Sequence, residues 1–155
     1  VAFDEWAEVL RKTFNSDSVL RIRVEKGIFK KGDNALVDGL QGTWNNNDNR
    51  WQGFCCDLDI TIDLGKVQKI SSVAADFMQA YGAWVFFPSE YKISFSEDGK
   101  NFKEVYSKST PVDRDIQLGF RNFAWKGKAS TRYIRVQGST TEDGGWLFTD
   151  EIVVK

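Results

Sequence analysis

From Asp57 onward, apolar residues recur at almost every second position, and this period restricts the fold more than any other feature of the chain. Leu58, Ile60, Ile62 and Leu64 alternate with Asp57, Asp59, Thr61 and Asp63 until Gly65 ends the run. Alternation of this kind builds a strand with one buried face and one solvated face. Val67, Ile70, Val73, Ala75 and Phe77 predict the next strand, with a slip in phase near Ser71-Ser72. Tyr91, Ile93 and Phe95 alternate with Lys92, Ser94 and Ser96, and the glycine-containing stretch 97–101 then turns the chain into residues 102–106 as a hairpin. Ile116, Leu118 and Phe120 repeat the pattern, as do Ile134 and Val136, and residues 146–154 predict a final strand. Upstream, Leu20, Ile22 and Val24 alternate with Arg21 and Arg23. Seven or eight short strands with polar turns and no intervening helix predict an antiparallel β-sandwich or jelly roll.

The first residues follow a different period. Phe3, Trp6, Ala7, Leu10 and Phe14 fall at helical spacing, with Asp4, Glu5, Glu8, Arg11 and Lys12 mostly on the opposite face. This predicts a short N-terminal helix closed by the polar run 15–18. Residues 1–25 therefore read as a helix and strand extension or a linker remnant, and 26–155 as the sandwich. The chain opens on Val1 rather than Met, and the expectation is a piece excised from a longer protein.

Composition removes several function classes. Lys+Arg 21 against Asp+Glu 22 gives a net charge of −1, without the concentrated basic face that nucleic-acid binding needs. No apolar run reaches the ~20 residues of a spanning helix, so membrane insertion is not expected. Histidine is absent, which excludes Ser-His-Asp and Cys-His nucleophiles and any histidine-ligated zinc. Cys55 and Cys56 are adjacent and read as thiols at a strand entrance, because neighbouring cysteines strain disulfide geometry. Asp57 and Asp59 form a carboxylate pair on the exposed side of a strand, without the cleft that a catalytic acid requires. An enzyme is not expected.

With alternating apolar residues in the core, function falls to the loops. Four segments carry the chemistry: 42–53, 79–88, 119–127 and 139–146. They combine indole and phenol rings with amides, carboxylates and arginine. Sugar recognition uses that mixture: the apolar face of a pyranose stacks on a flat ring while its hydroxyls meet planar donors and acceptors. Trp6 and Phe95 read as core, as do Trp125, Phe86 and Phe87, whereas Trp44, Trp51 and Trp84 stand among polar and glycine residues. Asp38-Gly39 reads as a tight turn, and Asp150-Glu151 precedes the last apolar pair. Calcium, which takes six to eight oxygens from carboxylates and carbonyls, could staple such a turn to a C-terminal carboxylate.

The ordered motifs ALVDG, RWQGF, DLDITIDLG, WVFFPSEYKISFSEDGKNF, RYIRVQG and WLFTDEIVV resemble the coagulation factor V/VIII type C (discoidin-like) domain. Within it they are similar to family 32 carbohydrate-binding modules, such as those C-terminal to bacterial family 20 β-hexosaminidases. The resemblance spans 26–155. It implies an eight-stranded antiparallel jelly-roll β-sandwich of the galactose-binding-domain-like class, a structural calcium and a glycan site in loops at one end. By position, Asp38 and Glu151 match acidic calcium ligands, with Thr43 and the carbonyls of Ala35 and Leu40 completing the set. The sugar site implied is Trp44, Asn49, Arg50, Trp51, Tyr81, Trp84 and Trp146, with Asp143 as a hydroxyl acceptor. The loop before Trp146 is shorter than in many relatives, and Cys55-Cys56 is absent from many of them. The resulting expectation is a non-catalytic, monomeric carbohydrate-binding module for galactose-type or N-acetylhexosamine sugars. It would be attached to the catalytic domain of an exported glycoside hydrolase or a surface protein, and so be extracellular, periplasmic or on the outer cell surface. The other reading is a structural or protein-interaction domain packed against a catalytic domain.

Overall fold

A computed structural model of the protein describes residues 21–24, 28–29, 52–54, 57–142 and 144–155. The predicted N-terminal helix and Cys55-Cys56 lie outside the described residues. Those described form an all-β antiparallel jelly roll of eight strand segments: β1 (Arg21–Val24), β2 (Ile28–Phe29), β3 (Gln52–Phe54), β4 (Leu58–Ala80), β5 (Glu90–Ser96), β6 (Lys103–Ser109), β7 (Leu118–Ser139) and β8 (Leu147–Val154). Six of them have four residues or more.

Two strands are far longer than the alternation predicts. β4 runs for 23 residues and β7 for 22, and they pair with each other along most of their lengths. Their first and second halves belong to different layers. Residues 58–63 of β4 pair with β1 and with residues 133–138 of β7, which in turn pairs with β5, and β5 with β6. Residues 72–80 of β4 pair with 118–126 of β7 and with β8, which leads through β3 to β2. The corner between layers is marked by register shifts between Asp63 and Gln68 and between Ile70 and Ser72, the place where the sequence slips phase. Gly65 does not end the strand as its position predicts. It adopts φ 84, a left-handed value that glycine tolerates, and its N–H donates to Asp63 Oδ1 at 2.8 Å as the chain turns. The segment 119–127, expected as a loop, is instead part of β7. Its apolar residues find a partner strand 46 positions upstream that no local signal announces, as at Asp76–Asn122.

The core lies between the layers. Leu58, Ile60, Ile62, Tyr91, Ile93, Ile134 and Val136 face Val73, Ala75, Phe77, Phe123 and Ile152, all at most 2% exposed. Aromatic rings join the two sides. Phe77 meets Tyr91 and Phe123 edge-on, each with centroids 5.4 Å apart, and Phe95 meets Trp125 at 4.9 Å. Phe95 is thus core, as predicted from its alternation, while Trp125 is half-buried and caps the same cluster.

Tyr91 places a phenol in this core with no hydrogen-bond partner for its hydroxyl among the described residues. Burial, with the nearby Tyr106 adding, pushes its pKa well above the usual tyrosine range. A buried hydroxyl without a partner forfeits its water bonds. Tyr91→Phe is therefore expected to stabilise the fold by about 1 kcal/mol, seen as a higher urea midpoint at unchanged m-value; a lower midpoint would contradict the unpartnered hydroxyl.

At the far end of the β5–β6 hairpin, Asp98 organises the turn. Its Oδ1 accepts from Ser96 Oγ and from the N–H groups of Lys100 and Asn101, and its Oδ2 accepts from Asn101 Nδ2. These bonds, the backbone ones foremost, hold its carboxyl well below the usual range.

Candidate functional site

The end of the sandwich opposite that hairpin gathers three connections: 81–89 after β4, 110–117 after β6 and 140–146 after β7. A short 3-10 turn, Tyr81–Ala83, leaves β4 and ends at Trp84, whose φ of 59 and ψ of 37 are left-handed. A non-glycine residue there costs about 1–2 kcal/mol, so the surrounding bonds must hold it. They do: the Trp84 N–H donates to Tyr81 O at 3.0 Å, and Ala80 and Val85 exchange both backbone bonds, at 2.9 and 3.1 Å.

The last loop locks onto this one. The Trp146 N–H donates to Trp84 O at 2.9 Å, and the Phe86 N–H donates to Trp146 O at 3.0 Å. Thr141 and Gly144 close a tight turn through Gly144 N–H to Thr141 O, 2.9 Å, and Thr141 Oγ1 to Gly144 O, 3.0 Å. Asp57 anchors its base by accepting from the N–H and Oγ1 of Thr140, and Ser89 Oγ donates to Thr140 O. The middle connection is pinned by Gln79, 1% exposed, whose Nε2 donates to Asp113 O at 2.7 Å and to Ile116 O at 2.9 Å.

The result is a rigid aromatic shelf. Tyr81, Trp84 and Phe86 meet edge-on in a triangle with centroids 5.1–5.9 Å apart. Phe86 is buried and Tyr81 half-buried, but Trp84 is 43% exposed. Among the described residues, a side chain added at Gly82 or Gly144 would meet nothing within 4 Å, so these residues leave room beside the shelf at both glycines. Phe87 is also buried, under the Arg121 guanidinium at 4.5 Å.

Of the predicted sugar-site residues, Tyr81, Trp84 and Trp146 are brought to this one end. The Trp146 ring is half-buried and packs on the small cluster of Met78, Val85 and Phe148, so its backbone fixes Trp84 while its indole faces inward. Trp44, Asn49, Arg50, Trp51 and Asp143 lie outside the described residues. So do the predicted calcium ligands Ala35, Asp38, Leu40 and Thr43. Glu151 is described: it sits in β8 where Asp150 and Glu151 together oppose Asp76, a β-bulge between the pairs Ala75–Ile152 and Phe77–Thr149. Asp150 and Glu151 are both buried, and the Glu151 N–H donates to Asp150 Oδ1 at 2.7 Å. A buried carboxylate on a bulged strand suits a hard cation with oxygen ligands. Among the described residues, no group of three or more His, Cys, Asp or Glu side chains is placed to hold a metal.

The sequence places Gln79 and Gly145 within the segments 79–88 and 139–146 but assigns neither a role of its own. Gln79 continues the core phase of Val73, Ala75 and Phe77, and a lone amide in an apolar phase signals a buried polar group with backbone partners. The Gly144-Gly145 pair before Trp146 signals positive φ, and both adopt it.

The F5/8 type C domain family matches residues 16–152. No curated protein sequence matches the chain. Among solved structures, it is similar to chitosan-binding module 1 of a chitosanase/glucanase from Paenibacillus sp. IK-5, with 18% identity, 90% of this chain and 95% of that one covered, and a TM-score of 0.59. It is also similar to CpGH89CBM32-5 from Clostridium perfringens in complex with GalNAc-β-1,3-galactose, with 14% identity, coverage of 86% and 94%, and a TM-score of 0.55. A third is CBM32-3 from a family 31 glycoside hydrolase of Clostridium perfringens, with 18% identity, coverage of 86% and 90%, and a TM-score of 0.55. At these identities the likeness is one of fold.

Proposed function

The chain belongs to the F5/8 type C domain family, and from that premise we propose that it is a non-catalytic carbohydrate-binding module whose sugar site is the Trp84 end of the sandwich. The observation that carries this reading is the half-exposed Trp84 indole on a backbone that both neighbouring loops hold in place. A preorganised flat ring offers stacking area to a pyranose without an ordering cost on binding. Tyr81 supports the ring from the side, and the polar partners would come from Asn49, Arg50 and Asp143, with Trp44 and Trp51 as further rings. Similar modules that carry sugars or belong to glycoside hydrolases support a terminal galactose-type or N-acetylhexosamine ligand. The module from a family 31 glycoside hydrolase likewise supports a parent glycoside hydrolase, which on our reading acts outside the cell. One or two stacked rings give weak affinity for a single site, which multivalency in the parent would raise.

Trp84→Ala tests the site, because the side chain is exposed and its loss should leave the fold intact. On a glycan array followed by calorimetry, affinity for any ligand of the wild type should fall about tenfold or more, with the melting temperature within about 2 °C of wild type. Unchanged affinity would place the site elsewhere. A wild type that binds no glycan at all would favour the structural or protein-interaction reading.

The same proposal includes a structural calcium held by Glu151 with Asp38, Thr43 and the carbonyls of Ala35 and Leu40. When bound, the ion would supply a fixed positive charge; Glu151 supplies a carboxylate from a strand that the core already orders. Saturating calcium at about 100 times its Kd adds about 2.7 kcal/mol, so chelation should lower the melting temperature by about 5–10 °C. Glu151→Gln should remove most of that calcium-dependent shift. A transition insensitive to both chelator and calcium would exclude the staple.

A further inference from the structure

The net charge of −1 conceals a strongly uneven distribution. The end of the sandwich remote from Trp84 is built from the β4 corner (64–70), the β5–β6 hairpin (97–103) and the β7 corner (126–132). Setting aside the bidentate Arg132–Asp63 pair, these segments carry six lysines (66, 69, 100, 103, 126 and 128) against two acids, Glu97 and Asp98. Between the hairpin and the β7 corner lies an open cleft of about 620 Å³. Its walls include Phe95, Asn101, Lys103, Trp125, Lys128 and Ser130.

The geometry of this cleft differs from that of a merely solvated lysine surface. Trp125 is half-buried, with Phe95 set edge-on beneath it at 4.9 Å and 89°, so the indole is fixed. The backbone of Gly127 lies against that ring, where a side chain would fall 2.8 Å from Trp125 Cζ2, and Lys128 lines the same cleft as the indole. Lys103 pairs with Phe95 in register and shares its face of the sheet, so its side chain turns under the β6 edge toward β7 rather than away from the sandwich. An inward lysine on an edge strand does deter strand addition. That role does not account for Lys128 on the facing wall. Among the described residues, neither Lys103 nor Lys128 has an ion-pair partner. Asp98 is committed to its own turn through four hydrogen bonds, which leaves Glu97 as the acid of the wall without such a commitment. The surrounding lysines keep the field positive.

We propose that this cleft is a second ligand site, distinct from the Trp84 end, that takes an anionic saccharide: a pyranose carrying a carboxylate or a sulfate. The sugar ring stacks on the exposed part of Trp125. Its anionic group sits between the Lys103 and Lys128 ammonium groups, and Ser130 and Asn101 meet ring hydroxyls. Charge-assisted hydrogen bonds of this kind are the stronger ones, and a single ring with two cations suits a repeating acidic polymer.

The test is titration of the whole chain with tetragalacturonic acid and with a heparin tetrasaccharide, followed by NMR amide shifts and calorimetry. The methyl-esterified tetragalacturonate and inorganic polyphosphate serve as controls. At least one acidic saccharide should shift amides in 96–103 and 125–131 rather than in 81–86 and 141–146, and bind less well as salt rises from about 50 to about 300 mM. Lys103→Gln with Lys128→Gln should lower affinity about tenfold or more, while Trp84→Ala leaves it unchanged. Trp125→Ala removes packing from Phe95 and can unfold the end of the sandwich, so the lysine pair is the deciding variant. The proposal is overturned if neither saccharide binds, if Trp84→Ala abolishes binding, or if the lysine variant binds normally. Equal binding of the methyl ester or of polyphosphate would also overturn it, showing that charge or ring alone suffices. Loss of the Trp84 site on a glycan array leaves these outcomes untouched, so the two proposals fail separately.

Discussion

Phe77→Ala is expected to lower the stability of the domain by about 3–5 kcal/mol, the largest loss from any single truncation considered. Phe77 is fully buried and touches both layers: it lies in β4, meets Phe123 on the neighbouring β7, and meets Tyr91 on β5 across the core. Truncation removes the ring and leaves a void that neither layer can close, since β4 and β7 are tied by continuous pairing from Val73 to Ala80. Domains of this class have only about 5–15 kcal/mol in hand. For a chain of 155 residues each kcal/mol moves the melting point by about 2–4 °C, so a fall of about 10 °C is expected in a thermal scan. Phe77→Leu retains most of the volume and should cost less than half as much. A Phe77→Ala protein melting within about 3 °C of wild type would mean that the rings do not meet as described.

Gly145→Ala should be the most damaging change at the candidate sugar site, although it touches no ligand. Gly145 has φ 94, and an added Cβ would lie 2.8 Å from Trp84 O and 2.8 Å from Phe86 Cδ2. The carbonyl cannot retreat without losing the Trp146 N–H bond that fixes Trp84, and Phe86 is buried beneath it. Backbone strain and crowding together cost about 2–4 kcal/mol. Some of this will be relieved by displacement of Trp84, with glycan affinity falling about tenfold. Gly144→Ala is the matched control. Its φ of 77 is equally unfavourable for alanine, but the new methyl enters open space. It should cost about 1 kcal/mol and leave glycan affinity intact. Equal losses from the two substitutions would show that the close approach at Gly145 is unimportant.

The strands were legible because their signal is local. Alternation at 58–64, 91–95 and 134–136 needs no knowledge of the partner strand, and even the phase slip at Ser71-Ser72 coincides with a real register shift. What alternation does not contain is continuity. Gly65 stops the pattern, so β4 reads as two strands; the structure bends one strand there and changes its partners. The segment 119–127 reads as loop because Arg121 and Asn122 interrupt its apolar residues. It becomes strand because Phe77 and Asp76 offer it a ladder. At the candidate site, the exposure of Trp84 was legible from its glycine and polar surroundings. Its rigidity was not, since that comes from backbone bonds between loops 62 residues apart, at Trp84 and Trp146. The inward turn of the Trp146 indole is likewise a property of the Met78–Phe148 cluster rather than of its own surroundings in sequence.

The unbroken course of β4 and β7 has a kinetic meaning as well. Leu58 pairs with Gly138 and Ala80 with Leu118, so both layers wait on contacts that close loops of tens of residues. Loop entropy must be met before any of these pairings is rewarded, which puts folding in the slow, millisecond-to-second class of all-β domains. Because each long strand serves both layers, neither layer can be completed first and left to stand. Folding should therefore show one rate-limiting event for the whole sandwich, with the β5–β6 hairpin, among the described residues, as the only large element able to form early from neighbours in sequence.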